Sequence, residues 1–149
     1  MDAEAELEGF IAKFSDPVAA QTRDAVARMR RRLPGATIPV YDNYNALAIG
    51  FGTGDRVGDI VFSLAVYPRW VSLFFGRGAT LEDPHGLLKG TGSQVRHIVL
   101  TPVDLLDDPR VRDLMDRAMA SAPSMTDAST PGRVIIKSIS AKQRPRRPA

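Results

Sequence analysis

The chain is expected to fold as a two-layer α+β domain, with an antiparallel β-sheet of about five to six strands packed against two N-terminal helices and a C-terminal helix. Three observations predict it. Apolar residues near the N-terminus recur with the period of a helix, and those between residues 38 and 75 alternate with the period of a strand. Short turns join the alternating runs, and consecutive strands so connected pair antiparallel because parallel pairing needs a long crossover. The 149 residues match the usual size of one domain and bury enough surface for a core without covalent staples.

Each element follows from its own signals. Leu7, Phe10, Ile11 and Phe14 fall on one stripe of a short first helix. Asp16-Pro17 supplies a cap and a first-turn proline for a second, marked by Val18, Thr22, Val26, Met29 and Leu33 and ended by Pro34-Gly35. Arg30, Arg31 and Arg32 sit where a helix C-terminus favours positive charge. Ile38 and Val40, then Leu47, Ile49 and Phe51, then Ile60, Phe62, Leu64 and Val66, then Val71, Leu73 and Phe75 are successive strands. They are divided at Asp42-Asn43, Thr53-Gly54-Asp55 and Pro68-Arg69. Residues 76–92 form a Gly-rich loop before a strand over Gln94–Thr101. Asp108-Pro109 opens the third helix, whose stripe is Val111, Leu114, Met115, Ala118, Met119 and Ala122. The expected division is a domain over 1–123, a linker over 124–132, an additional edge strand over 133–140 and a basic, flexible arm over 141–149.

Composition narrows the chemistry. There is no cysteine, which excludes disulfides, thiol nucleophiles and thiolate metal sites. No apolar run approaches the roughly 20 residues that span a bilayer, so no membrane partner is expected. The first residues are acidic, the wrong sign for a signal peptide, and the expected compartment is the cytoplasm. The net charge of +3 is unevenly held. Arg133, Lys137, Lys142, Arg144, Arg146 and Arg147 crowd the last seventeen residues with no acid among them, on a body in which acids outnumber bases. An arm of this kind suits nucleic-acid phosphates through Lys142, Arg144, Arg146 and Arg147, or else is a solvated terminus.

Gly50-Phe51-Gly52-Thr53-Gly54 fails as a dinucleotide loop, because the third glycine of that motif falls on Asp55 and a strand follows. Residues 86–97 are more informative. Successive glycines there allow an N–H nest for an anion between the cations Lys89 and Arg96, with Gly90, Gly92 and Gln94 in the same loop. Arg69 and Trp70 are candidates for an adjacent wall, Trp70 by stacking on a planar ligand. Glu4 and Glu8 share a helix face, and Glu82, Asp83 and His85 offer oxygen and imidazole donors for a divalent metal. No catalytic residues emerge, since no nucleophile elbow or comparable signature is present.

Val40-Tyr-Asp-Asn-Tyr-Asn-Ala-Leu47, Tyr67-Pro-Arg-Trp-Val-Ser-Leu-Phe-Phe75 and Asp83-Pro-His-Gly-Leu-Leu-Lys-Gly-Thr-Gly-Ser-Gln-Val-Arg96 together resemble the YdhG-like family, a bacterial domain family of unknown function. The resemblance covers roughly residues 5–122. It implies an antiparallel sheet with helices on one side and, through likeness to frataxin and to a related iron chaperone, a role with iron. The sequence thus leaves three expectations: a binding domain for a small anionic ligand at the Gly86–His97 loop, a frataxin-like iron or metal chaperone, and a nucleic-acid binder acting through the arm. It leaves monomer and homodimer equally open, the latter through an edge strand at 134–140.

Overall fold

A computed structural model describes residues 1–149. The helices are α1 (Ala3–Ile11), α2 (Asp16–Arg32) and α3 (Pro109–Met119). The strands are β1 (Ile38–Asp42), β2 (Leu47–Gly52), β3 (Ile60–Val66), β4 (Val71–Phe75), β5 (Arg96–Val99) and β6 (Val134–Ile139). They form one six-stranded sheet in the order β5-β4-β3-β2-β1-β6. The α+β class and the antiparallel meander from β1 to β5 are as the periodicities require.

The sheet as a whole is mixed rather than antiparallel, because β6 lies parallel to β1. A parallel partner needs a crossover, and everything from β2 to the turn after α3 supplies it. β6 is nonetheless the edge strand that its position suggested.

Helix signals act as expected. The Asp2 carboxylate accepts the Ala5 N–H at 2.8 Å to cap α1, and Asp108 accepts the Arg110 N–H at 2.9 Å to cap α3. The arginines ending α2 do more than complement its dipole. Arg30 holds Glu4 of α1 bidentately at 2.8 and 3.0 Å, and Arg32 reaches Asp116 of α3 at 2.6 Å. They tie the three helices together at the surface, each pair contributing up to about 1 kcal/mol.

The core lies between helices and sheet. Val40, Ile49, Leu64, Leu73 and Ile98 stand side by side across five strands and are all buried. A parallel row carries Phe51, Phe62 and Phe75, with Phe62 and Phe75 edge to face at 5.4 Å. Each such side chain stabilises by roughly 1.5–3 kcal/mol, so these rows hold the layers together. The other sheet face bears Tyr41, Ala48, Ser63, Phe74, His97 and Val99, all half-buried, around the buried Ala65 and Ser72.

Two segments expected to be loose are built in. The 124–132 stretch begins in a 3-10 turn whose Met125 is fully buried and whose carbonyl accepts the Gly35 N–H at 2.9 Å. The 141–149 arm is docked rather than flexible. It runs between the turn after β1 and the junction of α1 and α2, where the Ser140 N–H donates to the Asp42 carbonyl and the Arg144 N–H to that of Tyr44. Its anchor is Arg146, 6% exposed, whose Nη2 donates to Asp42 Oδ1 at 2.9 Å and whose guanidinium lies 5.6 Å from the Phe14 ring. Asp42 is 1% exposed and meets Lys13 Nζ at 3.3 Å through its second oxygen.

Candidate ligand-binding cleft

The meander places its turns at two ends of the sheet. One end holds the loops after β2 and β4 and the C-terminus of α3; the other holds the turns after β1 and β3 and the docked arm. This separation decides which candidate residues meet. Arg96 pairs with Phe75 at the end of β4, whereas Trp70 precedes its first residue. Five residues of extended chain separate them by roughly 17 Å. Arg69 and Trp70 therefore form no wall beside Lys89 and Arg96.

The Gly86–His97 loop is largely occupied by its own backbone. The Asp83 carboxylate accepts the N–H groups of Leu87 and Leu88 at 3.0 and 2.8 Å. Lys89 and His97 exchange backbone hydrogen bonds at 2.9 Å in both directions. Gly86 and Gly90 take φ of 63° and 119°, so these glycines serve turns that other residues rarely adopt. Arg96 folds its guanidinium onto the Gly92 and Val95 carbonyls of the same loop. Gln94 contributes its carbonyl to the Ala79 N–H. The N–H groups of Gly86, Leu87, Leu88, Lys89 and His97 and the Arg96 side chain thus hold the loop itself. Lys89 is exposed and makes no side-chain hydrogen bond or ion pair.

The metal candidates are not brought together either. Glu4 is held by Arg30, Glu8 by Arg23 at 2.6 Å and Glu82 by Arg117 at 3.2 Å, while Asp83 caps its own loop. No three His, Asp or Glu side chains cluster as metal ligands do. A hard cation needs several free oxygens around one point, so this donor set does not fit an iron site. Of the arm residues, Lys142, Arg144 and Arg147 are exposed, but Arg146 is buried against Asp42 and is withdrawn from any phosphate.

A concave site nevertheless exists at the α3 end, a cleft of about 350 Å³ that the sequence reading missed. Ile60 and Val61 of β3 and Phe75 of β4 line it from the sheet, and Ala118 and Ala122 from α3 and the turn beyond. Arg77, Thr80 and Leu81 enter from the loop after β4, and Arg117 from the last turn of α3. The Arg117 guanidinium is hydrogen-bonded to Asp113 at 2.9 Å, which raises its pKa further, and it also meets Glu82. Arg77 has no acidic partner and no side-chain hydrogen bond, so its charge is available at the rim. The Thr80 hydroxyl donates to the Arg77 carbonyl at 2.8 Å and fixes the turn that presents it. Gly78 allows this turn to close, since a Cβ there would stand 2.6 Å from that of Arg96. No local motif marks Arg77; only the chain's return over α3 turns a loop arginine into a lining residue.

No helix is long and apolar enough to cross a membrane. Compared with family models, curated proteins and solved structures, the chain matches none.

Proposed function

We propose that this protein is a non-catalytic binding domain for a small anion carrying an apolar body, seated in the cleft between α3 and the ends of β3 and β4. The observation that carries the reading is Arg77, an arginine without a counter-ion at the rim of a cleft floored by Phe75, Ile60, Val61 and Leu81. A volume of about 350 Å³ suits a small ligand, and a few charged groups on an apolar floor are the usual composition of such sites. The other two charged lining residues are engaged, Arg117 with Asp113 and Glu82, and Asp59 with the Arg56 N–H, which leaves Arg77 as the unpaired one. Binding is favoured over catalysis because both histidines lie outside the lining, the Thr80 hydroxyl is committed to the Arg77 carbonyl, and the Thr53 and Ser121 hydroxyls that also line it are hydrogen-bonded to no base. The ligand class is that expected from the loop's cations, but its seat is the Arg77–Leu81 half of the loop rather than residues 86–97. The occupied carboxylates speak against the iron-chaperone reading drawn from the YdhG-like resemblance.

Phenyl phosphate, which joins a flat apolar ring to an anion, is the test ligand. Saturation at about 100-fold above the dissociation constant adds about 2.7 kcal/mol to stability, raising the melting temperature by roughly 5–10 °C. Arg77→Ala should remove the rise, and Lys89→Ala with Arg96→Ala should leave it intact. No rise at millimolar concentration, or a rise that survives Arg77→Ala, refutes the proposal.

A further inference from the structure

The opposite end of the sheet gathers a second, unrelated set of side chains. Pro68-Arg69 is a two-residue turn closed by the Tyr67 N–H donating to the Trp70 carbonyl at 2.9 Å. This turn stacks the Tyr67 and Trp70 rings at 4.8 Å and 22°. Trp70 keeps 39% of its surface exposed, an unusual condition for the only tryptophan of a chain with an ample core. The docked arm completes the surface. Its Arg144 lies over the Tyr44 ring at 5.7 Å, and Arg144 and Pro145 face Tyr67, Pro68, Trp70 and Asn45 across a shallow cleft of about 470 Å³.

The charge here is of one sign. Arg69, Lys142 and Arg144 make no ion pair, Arg147 contacts only the Lys13 carbonyl, and none of the cleft's six lining residues is acidic. Elsewhere on the body, arginines are mostly matched with carboxylates, as at Arg23, Arg28, Arg30, Arg32, Arg110 and Arg117. Unmatched cations interleaved with the exposed Tyr44 and Trp70 rings, the latter braced by half-buried Tyr67, are what a single-stranded polynucleotide requires. Its bases stack on aromatic faces, and its phosphates, spaced along the chain, meet arginine and lysine. A duplex would not offer its base faces, and a lone anion would not need the rings.

We infer that this end of the molecule is a binding platform for single-stranded nucleic acid, with Trp70 and Tyr44 as base-stacking positions and Arg69, Lys142, Arg144 and Arg147 as phosphate contacts. The arm therefore acts as a fixed wall rather than as a free tether, and Arg146 fastens that wall without touching the ligand. The platform is independent of the Arg77 cleft, since the two lie at opposite ends of the sheet.

Because Trp70 is the sole tryptophan, its fluorescence reports stacking directly. Titration with an oligouridylate of about twelve nucleotides should quench it saturably at low salt, a length that fits single-strand sites of this kind. The logarithm of affinity should fall against the logarithm of salt with a slope near −2 to −3, about −0.7 for each phosphate contact. In an anisotropy assay with labelled oligouridylate, Trp70→Ala should weaken binding about tenfold at unchanged slope. Arg144→Ala should make the slope shallower by about 0.7. A circular-dichroism melt of each variant shows that both remain folded. Absence of quenching, duplex bound as tightly as single strand, or uridine monophosphate quenching with the same midpoint as the oligomer would each overturn the inference.

Discussion

Replacing Arg146 with alanine tests whether the arm is part of the fold. Asp42 is 1% exposed and its carboxylate has two partners, Arg146 at 2.9 Å and Lys13 at 3.3 Å. Removing one partner of a buried ion pair costs about 3–5 kcal/mol, because the remaining charge stays desolvated. Two features push the figure to the low end. Lys13 remains beside Asp42, and the buried Arg146 Nε has no hydrogen-bond partner, so the arginine already carries a penalty that the alanine relieves. The expected loss is about 3 kcal/mol, or roughly 6–12 °C in melting temperature for a domain of this size. Differential scanning calorimetry of Arg146→Ala, Asp42→Ala and the double variant reads it. The double variant should be much less destabilised than the sum of the singles, since replacing both charges leaves neither stranded. Deleting residues 141–149 should cost at least as much as Arg146→Ala. A shift below about 2 °C for the single variant, or strict additivity in the cycle, would refute a structural arm.

Three further outcomes follow from other parts of the molecule. Gly132→Ala should destabilise by about 1–3 kcal/mol or more, because its Cβ would stand 1.5 Å from the Ala36 carbonyl oxygen, a backbone atom that no rotamer can move; an unchanged urea midpoint would contradict the close approach. Leu64→Ala, in the middle of the five-strand row, should cost about 2–5 kcal/mol by the same measurement, and a loss under about 1 kcal/mol would place the core elsewhere. Between pH 4 and 2, stability should fall partly through Asp108, whose pKa is lowered from 3.8 to about 2 by hydrogen bonds from the Arg110 side chain and backbone. A carboxyl depressed in the folded state stabilises above its unfolded pKa and loses that contribution as pH drops through the folded value. Asp108→Asn should therefore flatten the melting-temperature profile in that window, and an identical profile would exclude the Asp108 contribution.

Local physics made most of the fold legible. Asp108-Pro109 reads as a cap because the carboxylate and the missing N–H act within three residues, and the period-two runs read as strands because one sheet face is buried along its whole width. The direction of β6 was not legible, since it depends on pairing with residues nearly a hundred positions earlier and its local pattern is the same either way. The docking of the arm was hidden for a related reason. Six basic residues without an acid read as solvated, and the one local clue was Asp42, an acid closing an otherwise apolar strand. The site divided in the same way. Arg96 and Trp70 each looked apt, but register along β4 sends them to opposite ends of the sheet. Arg77 carries no motif and becomes a lining residue only because the fold sets α3 across the cleft from its loop.

The parallel β6 has a consequence for synthesis. β1 is made early, yet its outward edge is closed only by residues 134–139, and Asp42 receives Arg146 only some hundred residues after its own synthesis. While the ribosome is still translating, a nascent sheet with its β1 border bare and a stranded carboxylate beside it must persist. Open strand borders of this kind recruit other chains. Stalled or truncated products that stop before Val134 should therefore be the ones that aggregate or attract proteases. Residues 134–146 thus act as a completion check on the sheet translated before them.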